Sequence, residues 1–181
     1  FVRYPAEDHL LFATQDRFAT VLTGLDAPRA VRNPRDIDFT WQPRLTRDDL
    51  GIGATTAYWI GGLAARDSSP GSLARVEATS QARPGRAQRA VRTGPTPVAA
   101  PLPALRQDLV LQPGDRLPTR KRITVDLTNV RRATVDLDRA GMRCGAVVVT
   151  TDGRTTVTFT GSRSGRVTEK VTSGASRFRL C

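Results

Sequence analysis

The chain has 181 residues, enough for one domain or two small modules, and carries 28 Lys+Arg against 17 Asp+Glu, a net charge of +11. One histidine and two cysteines cannot fill a four-ligand zinc site, and a histidine-based hydrolase would rest wholly on His9. No apolar run is long enough for a membrane-spanning helix, and an apolar fraction of 39% suffices for a modest core.

The chain opens Phe1-Val2-Arg3-Tyr4-Pro5, with neither an initiator methionine nor a basic-then-apolar leader, and so reads as a piece of a longer protein. His9 to Ala13 has strand character. Arg17 to Leu22 fits a strand or a short helix, because Phe18, Val21, Leu22 and Leu25 have helical spacing and Gly24 offers a cap. His9 follows Glu7 and Asp8, but a catalytic histidine needs a nucleophile and a carboxylate brought together in space. Adjacency in sequence does not supply that, and no catalytic residue is expected.

Pro28 and Pro34 bracket a loop. Asp36 to Trp41 then alternates, with Ile37, Phe39 and Trp41 on one face and Asp38 and Thr40 on the other. Thr56 to Arg66 is a second strand, with Tyr58, Ile60 and Leu63 inward. Gly61-Gly62 interrupts it, as a bulge or a close backbone approach does. Ser68 to Gly71 is a turn, and Leu73 to Ser80 a third strand. Phe39, Trp41, Tyr58 and Trp59 are the one aromatic concentration, and sugar-binding sandwiches stack pyranose rings on exposed aromatics. Neighbours on a strand face opposite ways, so one of Tyr58 and Trp59 is expected to be exposed. Trp41, Tyr58 and Trp59 are therefore the candidate ligand-binding residues, and core packing is the plainer explanation of them.

Pro84, Pro95, Pro97, Pro101 and Pro103 mark residues 84–104 as a linker or an extended edge segment, since proline cannot donate to a ladder. That suggests two modules, 1–83 and 105–181. The charge divides along similar lines. Residues 1–83 hold ten cations and ten acids, 84–122 hold eight and two, and 123–181 hold ten and five. A polyanion would meet Arg120, Lys121 and Arg122 in the basic part. With 26 of the 28 cations being arginine, genomic base composition explains the excess equally well. No Phe, Tyr or Trp lies between Arg75 and Arg143 to stack on bases, so nucleic acid is not an expected partner.

The last 60 or so residues are read as six strands: Arg122–Thr128, Arg132–Asp138, Gly145–Thr151, Arg154–Thr160, Arg166–Thr172 and Arg177–Cys181. Asp152-Gly153 is the strongest hairpin signal in the chain. Gly161-Ser162-Arg163-Ser164-Gly165 is a hairpin loop and not a nucleophile elbow, because Arg163 stands where serine is required. Asp36/Asp38 and Asp136/Asp138 each place two carboxylates on one strand face. Calcium needs six or more oxygens, so the expected partners are the cross-strand cations Arg131, Arg132 and Arg139, and no metal or cofactor is expected. Short strands separated by turns point to an all-β fold of the antiparallel sandwich or jelly-roll kind.

Cys144 enters a strand and Cys181 is the last residue. A disulfide between them would fasten a fraying end, and it implies an oxidising compartment outside the cell.

Two stretches, Thr56-Ala57-Tyr58-Trp59-Ile60-Gly61-Gly62-Leu63 with Arg66-Asp67, and Val135-Asp136-Leu137-Asp138-Arg139-Ala140-Gly141-Met142-Arg143-Cys144, resemble the carboxy-terminal β-rich regions of large secreted actinobacterial proteins, secreted hydrolases among them. The resemblance covers about a third of the chain and carries no catalytic motif. It implies a non-catalytic accessory domain whose partner is an upstream catalytic part of the same protein. The alternative is a module binding polysaccharide or a polyanion.

Overall fold

Alternation of apolar and polar residues gives a strand one side for a core and one for water, and this pattern carries most of the described residues into sheets. The computed structural model describes residues 2–3, 31–92, 94, 96–98, 104–106 and 109–181. The expected elements over 9–13 and 17–22, and His9 itself, lie outside the described residues.

The described residues form an all-β protein. In chain order the strands are β1 (Val2–Arg3), β2 (Asp36–Trp41), β3 (Ile60–Ala65), β4 (Ala74–Ser80), β5 (Arg86–Arg92), β6 (Thr96–Val98), β7 (Ala104–Arg106), β8 (Leu109–Arg116), β9 (Arg122–Thr128), β10 (Val130–Asp136), β11 (Gly145–Thr151), β12 (Thr155–Ser162), β13 (Gly165–Val171) and β14 (Gly174–Leu180). Two short 3-10 turns, Pro43–Leu45 and Asp48–Leu50, follow β2. The expected strands over 36–41, 122–128 and 145–151 are found at those bounds, and the others shift by one to four residues at an end.

The chain divides into two compact units. One comprises 1–30 and 86–116. It holds a three-stranded sheet in the order β1-β7-β6 and a two-stranded ribbon, β5-β8. The ribbon leaves most of its residues exposed on both faces, Leu109, Val110 and Leu111 among them. Residues 84–104, expected as a linker or an extended edge, supply β5 and β6 and the start of β7.

The second unit comprises 31–85 and 117–181. Its two sheets have the orders β13-β12-β10-β3 and β14-β11-β9-β4-β2. β4 pairs with β9, so residues on either side of the proline-rich segment share one sheet instead of forming separate sheets. Both sheets contribute to one apolar cluster: Ile37, Val76, Val125 and Val149 from the five-stranded sheet, and Ile60, Val135, Val157 and Phe159 from the four-stranded one. The ring of Phe159 on β12 lies 5.3 Å from that of Phe178 on β14, a direct contact between the layers.

The pairing is mixed where an antiparallel arrangement was expected. β9 runs parallel to β11, and β10 runs parallel to β12. Successive strands from β9 to β12 alternate between the two sheets, so neighbours in sequence are not neighbours in a ladder. Asp152-Gly153 therefore closes no hairpin: it links β11 in one sheet to β12 in the other. Each strand buries one face by joining a different layer. Gly153 is not in the left-handed conformation that a type I′ turn demands. Hydroxyls hold this arch. Thr155 Oγ1 donates to the Val130 carbonyl at 2.6 Å and lies 2.8 Å from Thr151 Oγ1, and both threonines are buried.

Two other turn expectations hold. β3 and β10 shift register around Gly62, which has φ +57 and sits so close to Thr134 that a Cβ would lie 2.9 Å from its Oγ1. Residues 161–165 turn β12 into β13 as a hairpin, with the Ser162 hydroxyl donating to the Gly165 carbonyl at 2.6 Å.

Candidate functional site

One end of the larger unit gathers three connections between strands onto a single residue, Asn129. It is the only link between β9 and β10, and it has φ +56, a conformation asparagine tolerates better than most residues. Its side chain accepts from the Asp67 N–H at 2.9 Å and donates to the carbonyls of Asp67 at 2.9 Å and Leu73 at 3.1 Å. Its backbone N–H donates to the Asp152 carboxylate, and its carbonyl accepts from Arg66 N–H at 3.1 Å. The Arg66 guanidinium pairs with that same carboxylate and lies across Gly153, where any Cβ would collide with it. Next to this knot, Asp67 accepts from the hydroxyls of Ser69 and Ser72.

These contacts set the titration of the two acids. Burial raises the Asp152 pKa, but hydrogen bonds from Asn129 and Arg66, with the Arg66 charge, outweigh it and leave the carboxyl below its ordinary value. Asp67 is lowered by the Ser72 hydroxyl first, then by the Ser69 N–H and hydroxyl. Charged groups here tie loops together.

The three candidate aromatics separate. Trp59 is fully buried and donates from Nε1 to the Pro34 carbonyl at 2.8 Å. Trp41 is buried and stacks on Phe39, with centroids 5.6 Å apart. Tyr58, expected to point inward, is 48% exposed, and it precedes β3 where a strand was expected to include it. Ala57 and Ile60 exchange backbone hydrogen bonds at 2.7 and 2.9 Å, so Tyr58 and Trp59 are the two central residues of a tight turn. Tyr58 has φ +55 there, a strained conformation for a bulky side chain.

Arg120 and Lys121 are exposed, whereas Arg122 is half-buried on the outer face of β9 and its Nε has no hydrogen-bond partner. In the β5-β8 ribbon, Arg89 and Arg92 are three residues apart in regular register, so they point to opposite faces. The ribbon arginines thus present no single basic face. Cys144 and Cys181 are joined in a disulfide with their Cα atoms 4.3 Å apart, which ties the end of β14 to the start of β11.

The paired aspartates find partners other than Arg131 and Arg132. Asp138 lies in a turn beyond β10 and pairs with Arg143 at 2.6 Å, while Asp136 accepts the backbone N–H of Arg139 at 3.0 Å. Asp38 accepts from Arg75 at 3.0 and 2.9 Å, and this pair lowers the pKa of Asp38. Asp36 accepts from the Thr79 hydroxyl at 2.8 Å. Register also sets Asp38 opposite Glu77, and Glu77 opposite Asp126, a row of three acids across β2, β4 and β9. With Asp36, Thr79 and Thr124 they line a hollow of about 410 Å³. Each acid could be placed on the solvent side from alternation alone, but only the pairing register brings them together. Among the described residues, no group of three or more His, Cys, Asp or Glu side chains is arranged to hold a metal ion.

The chain matches no protein-family model, no curated protein and no solved structure.

Proposed function

We propose that the chain is a non-catalytic accessory β-domain of a larger secreted protein, a polymer-acting hydrolase, which it supports or positions. The observation carrying this reading is the use made of the polar groups. The perturbed carboxylates, Asp38, Asp49, Asp67, Asp138 and Asp152, are each held by cations, hydroxyls or backbone N–H groups within loops and between strands. That is the chemistry of a rigid support. The Cys144–Cys181 disulfide adds a cross-link suited to an oxidising compartment.

The test uses antibodies raised against the chain to probe cells and culture medium of the source organism. A species well above 19.7 kDa in the medium, co-purifying with hydrolase activity on a polymer, is expected. A species of 19.7 kDa, or one confined to the cells, overturns the reading.

The exposed and strained Tyr58 favours a second reading, a carbohydrate contact built on that ring instead of on three aromatics. Affinity electrophoresis through gels carrying soluble polysaccharides tests it. Retardation that disappears in Tyr58→Ala supports the contact, and equal mobility of both proteins on every polymer removes it.

A further inference from the structure

The outer face of the five-stranded sheet carries opposite charge at its two sides. On the β2 and β4 side stand Asp36, Asp38 and Glu77, all exposed, with Arg75 paired to Asp38 and Glu77 at 2.9 Å each. Three acids against one arginine leave a net −2 there. On the other side, register places Ala146 opposite Arg179 and Val148 opposite Arg177. Those two exposed arginines on the edge strand β14 give +2. The middle strand β9 carries one charge of each sign on this face, Arg122 and Asp126. Between the two halves lie Ala146, Val148, Thr150 and Thr124, side chains too short to hold a second surface away.

We propose that this face is a self-association surface, on which a second copy of the chain docks face to face. β9 is the middle strand of the five. A two-fold axis lying in the face and running along β9 exchanges the two sides of the sheet. The β2 acids of one copy then lie over the β14 arginines of the other, with Asp36 in the row of Arg177, and the reverse contact forms automatically, while β9 meets its own copy. One patch paired with itself is the isologous geometry of two-fold dimers. Sheets stacked face to face sit roughly 10 Å apart, a gap two inward-reaching side chains can fill. The hollow between Asp36, Glu77 and Asp126 gives the incoming guanidinium groups a seat lined by acceptors.

Size sets the strength. Strands of this length span about 20 Å, and five of them at about 4.8 Å spacing span a similar width. That is smaller than the roughly 800 Å² per partner of a standard interface, so the dimer is weak and its specificity comes from charge. At about 0.1 M salt the screening length is about 10 Å, which dampens the repulsion between two +11 chains while leaving contact pairs intact.

Sedimentation velocity and light scattering on the full chain test this from micromolar to near-millimolar protein. The mass is expected to rise from 19.7 kDa toward twice that value, and to fall back at about 1 M salt, where screening extends to only about 3 Å. Two charge-reversed proteins sharpen the test: Arg177→Glu with Arg179→Glu, and Asp36→Lys with Asp38→Lys. Each alone should stay monomeric, because β2 and the β14 strand it faces then carry charges of one sign. Mixed in equal amounts they should associate at a concentration at least tenfold lower than the unaltered chain requires. Melting curves report whether each is folded, and Arg177→Gln with Arg179→Gln gives a milder version of the same loss. A chain that stays monomeric throughout the range overturns the proposal. So do variants that associate as the parent does, or a mixture of folded variants that fails to associate.

Discussion

The Asp152 carboxylate accepts the Asn129 backbone N–H through both of its oxygens, at 3.1 and 2.9 Å. That one contact bridges the β9–β10 link to the β11–β12 arch, and Arg66 brings in the end of β3. Asp152→Ala leaves the Asn129 N–H without its acceptor and Arg66 without its counter-charge. The expected loss is about 1–2 kcal/mol, the value for a charged hydrogen bond reduced because the carboxylate is half-exposed. Urea unfolding of both proteins measures it, with an unchanged slope showing that only stability moved.

The same carboxyl makes stability depend on acid. Its folded pKa is lower than its unfolded one, so its contribution is complete above the unfolded value of about 3.9 and disappears as pH falls through the folded value. Asp38, Asp67 and Asp138 shift in the same direction. The melting temperature should be flat from neutral pH to about 5 and drop below about 4. Asp152→Asn should melt lower at neutral pH and lose less on acidification. Parallel curves for the two proteins would show that Asp152 is not one of the groups responsible.

Gly145 opens β11 beneath the Lys121 carbonyl. A Cβ there would lie 2.5 Å from that oxygen and 2.5 Å from Met142 Sδ, and the oxygen is backbone already paired with Ala146 N–H at 3.0 Å. The sulfur can swing away, but the carbonyl cannot. Gly145→Ala should cost about 1–3 kcal/mol by overpacking. Gly165→Ala, whose Cβ would meet nothing, separates this effect from backbone strain, since Gly165 has φ +84.

The strands were legible because one period repeats. Ile123, Val125 and Leu127 alternate with Thr124, Asp126 and Thr128, and the observed burial follows that alternation. Which sheet a strand joins was not legible. Asp152-Gly153 has the composition of a tight hairpin, yet the turn is decided by two strands whose buried faces pack in different layers and by a carboxylate engaged with Asn129. The disulfide was readable from position alone, a cysteine at each end of a long loop. The fate of Tyr58 was not, because a two-residue turn at Ala57–Ile60 shifts the strand's start, and with it which ring faces the core. The acid row was half legible, since Asp38, Glu77 and Asp126 lie on separate strands whose register depends on the whole fold.

Cross-linking Cys144 to Cys181 closes a loop with a sequence separation of 37. Loop entropy makes such a bond worth about 4 kcal/mol, chiefly by restricting the unfolded chain. Cys144→Ser with Cys181→Ser, or the reduced protein, should unfold at lower denaturant by that amount. β14 should lose hydrogen-exchange protection first, because it is the edge strand the bond ties down.

Tyr58 offers a stabilising change. Its left-handed backbone costs an L-residue about 1–2 kcal/mol and costs glycine little. Tyr58→Gly should equal or exceed the parent in melting temperature, and Tyr58→Ala should fall below the glycine variant. A glycine variant less stable than alanine would mean that this backbone is not the source of the strain.

The alternation of β9, β10, β11 and β12 between two sheets bears on how the chain reaches its fold. Of the ladders in the larger unit, β12–β13 is the one built from strands adjacent in sequence; the others join residues tens of positions apart, as Val135 with Ile60 or Val147 with Phe178. Loops must close before these contacts repay the cost, so the chain is bound to fold slowly, on the millisecond-to-second scale of non-local β-proteins. During that interval its valine-rich strands are exposed before their partners arrive. The net charge of +11 then has a consequence apart from any bound ligand: self-repulsion opposes the sticking of unfinished chains until the two layers meet.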